Sequence, residues 1–324
     1  MNTPQLGDYA KQANDTIHAA HKSLDTEDLL DLYFNERVGY LFMLLFKKLN
    51  WKPNHVTTLS MGVGFCGGIL MLPENIYLNI LGMLLIVLSI ILDATDGQLA
   101  RLTHQTSELG RFLDGFSTFT WAAPAYICLG IRAINDPIIP FTNGTAWGFW
   151  VFLLVVPSGI FGMLLQCTVA DYYRNAHLYF LNPEKSELTL SGDVKRELDA
   201  LPDDALFLRR WYLAIYYAYT KIQEALSPNF VKLIDAINES GALTDTLRKD
   251  YLDRSKKYIQ LTNIITINTR TIVLFACVSL NIPAVYFVAD LFLFGIVLLL
   301  TINRYEKIAK QTYALHFADT IKQD

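Results

Sequence analysis

Leu92-Asp93-Ala94-Thr95-Asp96-Gly97-Gln98-Leu99-Ala100-Arg101 closes an apolar run that begins near residue 77, and it sets two carboxylates where that run ends. Asp93 and Asp96 are three residues apart, so on a helix they share a face. Eight residues separate Arg101 from Gly110, and three more separate Gly110 from Asp114, at the start of the next apolar run. Carboxylates in membrane helices are costly and usually functional. Three on one side repel one another unless something neutralises them. All-oxygen ligation suits Mg2+ or a similar hard cation, which in turn bridges phosphates. Gly97 admits a ligand close to the backbone, and Arg101 can grip a phosphate oxygen in a fork. The plain alternative is that each Asp merely caps a span end. It accounts for any one of them but poorly for all three at this spacing.

Working outward, the 324 residues are 52% hydrophobic and only 18% charged. That composition excludes a disordered chain. Four Cys exclude a disulfide scaffold, and a net charge of −4 leaves no basic excess for nucleic acid. A bilayer-spanning helix needs about 20 apolar residues. Six stretches meet or approach that length, at 56–72, 77–93, 110–133, 147–169, 259–280 and 283–303, the first being short and rich in Thr, Ser and Gly. Lys and Arg number six in residues 1–53, two in 97–111, thirteen in 172–257 and four after residue 303. The three intervening joints hold none, although Arg132 borders one and Arg270 lies inside the fifth run. Positive charge marks the cytoplasmic side. The expected architecture is therefore an all-α polytopic membrane protein with six transmembrane helices and both termini cytoplasmic. A soluble helical protein with a large core would not sort its charges in this way.

Residues 1–52 form a cytoplasmic N-terminal segment. Within it 38–49 is apolar, short and followed by Lys47, Lys48, Trp51 and Lys52, which suits an interfacial helix. Spans one to four occupy 53–181, spans five and six 258–306, and a tail follows at 307–324. Residues 182–257 are a polar, helical cytoplasmic insert. Its Tyr- and Arg-rich stretch 206–226 fits three roles equally: a membrane-surface helix, a cover over the catalytic mouth, or an ordinary amphipathic packing helix. Gly62, Gly64 and Gly67 have the spacing of a dinucleotide-binding loop, but they lie inside an apolar run with no preceding strand, and are read as helix-packing residues. The four Cys all lie in apolar runs and are read as buried thiols.

The motif resembles the signature of the CDP-alcohol phosphotransferases, D-x2-D-G-x2-A-R-x8-G-x3-D-x3-D, over roughly residues 36–180 and 258–306. Pro53, Asn54 and Thr57 resemble that family's Pro-Asn-x-x-Thr start of the first span. The resemblance implies six membrane helices around a cytoplasm-facing site, a homodimer, and cleavage of a CDP-linked donor with release of CMP. It implies that Asp93, Asp96 and Asp114 bind Mg2+ or Mn2+, and that Asn54, Thr57, Gly97, Ala100, Arg101 and Gly110 surround the CDP moiety. The family's fourth Asp, which helps hold metal and is its proposed base, falls at Thr118. A neutral hydroxyl cannot serve as a general base near pH 7. Three readings follow. His104, Glu108 or Asp171 substitutes as base; the acceptor needs little deprotonation or carries its own base; or transfer activity has been lost, leaving a CDP- or lipid-binding protein.

The resemblance implies a donor that is either CDP-diacylglycerol or a small CDP-alcohol, and an acceptor that is a polar alcohol or a lipid hydroxyl; the motif does not choose. Asn263, Ile267 and Arg270 are spaced to share one helix face. With Arg174 at the end of the fourth span, Arg270 could hold a phosphate on the acceptor. As evenly weighted alternatives, Arg270 snorkels to the interface and Arg174 is a positive-inside anchor. Asp290, in the outer half of the last run, has no role in this reading beyond a helix–helix hydrogen bond.

Overall fold

The computed structural model describes residue 28, residues 30–103, residue 105 and residues 108–317 except 184, 185, 187, 203–206 and 242; side chains of 108–112, 114, 115 and 208 also lie outside the described set. The described chain is all-helical, with an isolated β-bridge between Pro137 and Ala146. The helices are α1 (Glu36–Lys48), α2 (Pro53–Ile69), α3 (Ile76–Thr103), α4 (Glu108–Arg132), α5 (Phe152–Pro157), α6 (Cys167–Leu181), α7 (Ser191–Asp199), α8 (Phe207–Leu226), α9 (Pro228–Ser240), α10 (Asp245–Ser255), α11 (Ile259–Ile264), α12 (Ile267–Ser279), α13 (Pro283–Val288) and α14 (Phe294–Phe317). Wider, π-helical segments Ser158–Gln166 and Ala289–Leu293 join α5 to α6 and α13 to α14.

Among the described residues, three helices are long and apolar enough to cross a membrane: Ile76–Thr103, Gly148–Leu181 and Pro283–Phe317. The other expected spans are shorter or only partly described. At 1.5 Å per residue α2 and α12 reach only about 26 and 20 Å. The fifth expected span, 259–280, is not one helix. It breaks at Ile265 and Thr266, between α11 and α12. The physical reason is a run of side-chain hydroxyls that bond local carbonyls in competition with the helical ladder. Thr266 Oγ1 donates to Asn263 O at 2.7 Å, and Thr269 Oγ1 donates to the same oxygen at 3.3 Å. The helix face proposed to join Asn263 to Arg270 is therefore interrupted.

The chain forms two compact units. The first comprises Glu27–Ile160 and Arg270–Leu291. Its centre is the packing of α2 against α3 and α4, made possible by glycines. A Cβ on Gly67 would lie 2.9 Å from Gly82 O, and one on Gly68 2.6 Å from Trp121 O. These are backbone atoms that cannot step aside. Gly62, by contrast, has nothing within 4 Å of such a Cβ. Gly68→Ala should destabilise the protein by about 1–3 kcal/mol, while Gly62→Ala should be near neutral; thermal unfolding in detergent compares them.

At the end of α3 where the motif lies, α1 packs alongside. Thr95 Oγ1 donates to Ile91 O at 2.7 Å and Gly39 O at 3.2 Å, and Gln98 Nε2 donates to Glu36 O at 3.0 Å. Tyr40, Met43 and Phe46 of α1 form a core with Val56, Leu92 and Leu99. The opposite side of α1 leaves Leu41, Leu45 and Leu49 exposed at four-residue intervals.

At the other end, buried Arg132 clamps the helix termini. Its Nε donates to Asn281 Oδ1 at 3.1 Å and its Nη1 to Asn79 Oδ1 at 2.9 Å. Asn79 Nδ2 donates in turn to Leu70 O at 3.0 Å and Pro73 O at 2.9 Å. An arginine at the edge of an otherwise cation-free joint is thus matched by amides.

The second unit comprises Phe161–Thr269 and Phe292–Asp324. Insert helices α9 and α10 pack on α14, and α8 on α6. The core is aromatic: Phe180 stacks on Tyr251 with centroids 3.9 Å apart, and Tyr173 on Tyr305 at 4.4 Å. Glu306 caps the start of α9, accepting from the backbone N–H groups of Asn229 at 2.8 Å and Phe230 at 3.0 Å, where a carboxylate meets the positive end of the helix dipole.

Candidate active site

The motif is helical throughout, because α3 continues past its apolar part to Thr103. Thr95 and Thr103 turn their hydroxyls onto Ile91 O and Leu99 O, each at 2.7 Å, so neither disrupts the ladder for long. Gly97 in a helix interior costs about 1 kcal/mol relative to Ala. A Cβ there would make ordinary contact with Arg101, 3.4 Å from Nη1, so the guanidinium lies beside the glycine. The two faces of this segment divide the work. Thr95, Gln98 and Leu99 are bonded to or packed on α1 and its core. At about 100° per residue, Asp93, Gly97 and Ala100 lie on the opposite side, with Asp96 and Arg101 flanking them. Asp96 is 3% exposed and Asp93 half-buried, whereas Arg101 is exposed.

Helix register brings the other motif residues to this level. Ser89 Oγ donates to Ser60 O at 2.8 Å and Gly67 meets Gly82, an antiparallel pairing in constant register. Continued along α2, it carries Asn54 to the height of Thr95 and Asp96. Gly64 meets Trp121, while Gly68 meets Trp121, Pro124 and Ala125, a parallel pairing. Continued, it carries the backbone of Asp114 to the height of Thr57, and Thr118 one turn deeper. Pro53 opens α2, where its missing N–H costs nothing. Thr57 is buried and donates to Pro53 O at 3.2 Å; Asn54 and Thr118 are half-buried. His104, and the side chains of Glu108, Gly110 and Asp114, lie outside the described residues. Among the described residues, no three His, Cys, Asp or Glu side chains converge.

The second unit holds Asp171 and Arg174 on α6, exposed and half-buried respectively. Burial, and next the charge of Asp171, raise the Tyr219 hydroxyl above its ordinary range.

Arg270 is 1% exposed and forms an ion pair with Asp290, itself 0% exposed; Ser158 Oγ donates to the same carboxylate. Ser158 and Asp290 both lie in the π-helical segments, where the widened turn sets a side chain off the regular helical grid. Pro157, which lacks an N–H, immediately precedes one of them. Sequence reading allowed Asp290 a helix–helix hydrogen bond but did not name its partners. The missed signal was its chain position: Arg270 and Asp290 stand at similar distances on either side of the short joint at 281–282, so antiparallel helices bring them to one depth.

No curated protein and no solved structure matches this chain. Residues 50–183 match the family model described as CDP-alcohol phosphatidyltransferase, a stretch that contains every motif position from Pro53 to Thr118 and stops at the insert.

Proposed function

We propose, from the CDP-alcohol phosphatidyltransferase match of residues 50–183, that the chain is an integral membrane transferase of phospholipid synthesis. It moves a phosphatidyl or phospho-alcohol group from a CDP-linked donor to an acceptor hydroxyl. The carrying observation is that Asp93, Asp96, Gly97 and Arg101 occupy one end of a spanning helix, level with Asn54 and the Asp114 backbone. On this reading there are six spans, α1 lies in the cytoplasmic interface with Leu41 and Leu45 toward lipid, both termini and the site are cytoplasmic, and the protein is a homodimer.

Two carboxylates one turn apart fit a hard divalent cation by donor chemistry. Asp93, Asp96 and Asp114 would hold Mg2+ or Mn2+, which supplies neutralisation of the pyrophosphate. Arg101, beside Gly97, grips a phosphate oxygen. Asn54 and Thr57, with Ala100 and Gly110, bound the nucleotide pocket. The acceptor oxygen attacks the phosphorus that carries the alcohol, the pyrophosphate P–O bond to CMP breaks, and the hydroxyl proton passes to a base. His104, Glu108 and Asp171 are the candidate bases. Arg174 and Arg270 are the candidate holders of an acceptor phosphate, although Arg270 already has Asp290. The test is release of CMP from a radiolabelled panel of CDP-diacylglycerol and small CDP-alcohols, by membranes supplied with Mg2+ or Mn2+. Metal-dependent release from one donor supports the reading; no release from any donor, with CDP still bound, favours a second.

That second reading, a non-catalytic CDP- or lipid-binding protein, is favoured by Thr118. Without a base the hydroxyl attack slows roughly 10²–10⁴-fold. Thr118→Asp should bind donor as before, take up more metal, and turn over faster by up to that factor in single-turnover assays. A fast native protein made slower by Thr118→Asp means that the chemistry uses another base.

A further inference from the structure

We infer that α8 is a second membrane anchor, whose outward face docks in the anionic headgroup layer of the bilayer that the chain spans. Its inward face is settled: Leu213, Thr220 and Gln223 are buried, Gln223 Nε2 donates to Thr168 O at 3.0 Å, and Ser227, just beyond the helix, shares a 2.8 Å hydrogen bond with Tyr173. The outward face is apolar. Phe207 is 75% exposed, Trp211 57%, Ile215 49% and Ile222 48%. At about 100° per residue these four fall within roughly 80° of arc, together with Ala218. A contiguous exposed apolar stripe rimmed by polar residues marks an interaction surface.

Charge identifies the occupant. Arg210 and Lys221, both exposed, lie on one edge of the stripe, within about 20° of each other in helical projection. The single acidic residue of α8, Glu224, lies about 40° from Arg210 in the same projection, but its carboxylate is turned to α7, accepting from Ser191 N at 2.6 Å, while Arg210 Nη2 donates to Pro202 O at 3.1 Å. The other edge carries Tyr212, 37% exposed, whose ring stacks on that of Tyr216 with an interplanar angle of 2°. An apolar stripe with cations on one border and Trp and Tyr beside it is the composition of an interfacial helix.

Depth supplies the independent argument. The anchoring oxygen belongs to Thr168, in the apolar helix Gly148–Leu181. Twenty residues of helix separate Gly148 from Thr168, or about 30 Å, the thickness of the hydrocarbon core. Thus α8 grips its spanning helix where the core gives way to headgroups. A soluble partner would find no such match of depth, and a second copy would bring like charges together. The inference needs only that Gly148–Leu181 spans the membrane, and stands apart from transferase activity.

The test uses the full chain in nanodiscs of phosphatidylglycerol or phosphatidylcholine, with Trp211→Phe to isolate the Trp211 emission by difference. In phosphatidylglycerol that emission should be quenched by lipid carrying a spin label near the headgroup and protected from iodide. Arg210→Gln and Lys221→Gln should each weaken docking roughly five-fold, the equivalent of about 1 kcal/mol per charge, in phosphatidylglycerol alone. Ile215→Glu with Ile222→Glu, both at exposed positions, should abolish the lipid quenching while the melting temperature holds. Quenching by iodide and not by labelled lipid overturns the inference, because α8 then faces water. Protection from both overturns it too, because protein then covers the stripe.

Discussion

On the proposed function, Asp96→Ala should lose CMP release by roughly 10²–10³-fold, the scale seen when one electrostatic group is removed from a preorganised site. Asp93→Ala does the same. Combining the two adds little, since residues that share one cation act as a unit and their losses do not sum. Asp96 is only 3% exposed, so folding must be checked separately. Asp96→Asn keeps the shape and removes the charge, and should lose activity with an unchanged melting temperature. The decisive measurement is CMP release titrated with Mg2+ and Mn2+. Near-native turnover of Asp96→Ala with the same metal dependence would sink the assignment of both carboxylates.

Asp290→Leu alone should cost about 3–5 kcal/mol, because it strands a buried guanidinium. Arg270→Leu should cost a similar amount by stranding the carboxylate. The double replacement should recover most of the loss, since apolar residues of similar volume often replace a buried pair without penalty. Ser158 would then lose its acceptor, so the recovery stops short of complete. Unfolding of the three proteins in detergent gives the coupling energy directly. The same double variant tests Arg270 as a phosphate holder. If Arg270 is structural, the folded double variant keeps its KM for a phosphorylated acceptor; if it binds that phosphate, KM rises while stability is restored.

The motif was legible because its chemistry is written in one chain segment: Asp93, Asp96, Gly97 and Arg101 need only helical geometry to share an end of α3. Apolar length identified Ile76–Thr103, Gly148–Leu181 and Pro283–Phe317 as membrane-crossing candidates, but each continues further into polar sequence than hydropathy shows. Hydropathy counts residues and is blind to hydrogen bonds. It could not see that Thr266 and Thr269 bond Asn263 O and break the run at 259–280. Nor could it pair Arg270 with Asp290, because it scores each as an isolated penalty. Gly64 and Gly67 of α2 were read correctly as packing residues, whereas Gly62 has nothing within 4 Å of a Cβ; the partners, Ser89, Trp121 and Gly82, lie on other helices and leave no mark in the α2 sequence.

The clamp around Arg132 also has a history in time. Its partner Asn281 lies 149 residues further along the chain. At 5–20 residues per second, the ribosome delivers Asn281 roughly 7–30 s after Arg132. Throughout that interval its hydrogen-bond acceptors among the described residues are Asn79 and the Met71 carbonyl, 53 and 61 residues behind it, with the charges of Glu74 and Asp136 nearby. The first four helices are therefore born as a partly satisfied bundle, and the last pair of helices to leave the ribosome completes it. A nascent chain truncated before Asn281 therefore holds Arg132 with one hydrogen-bond acceptor fewer than the finished molecule.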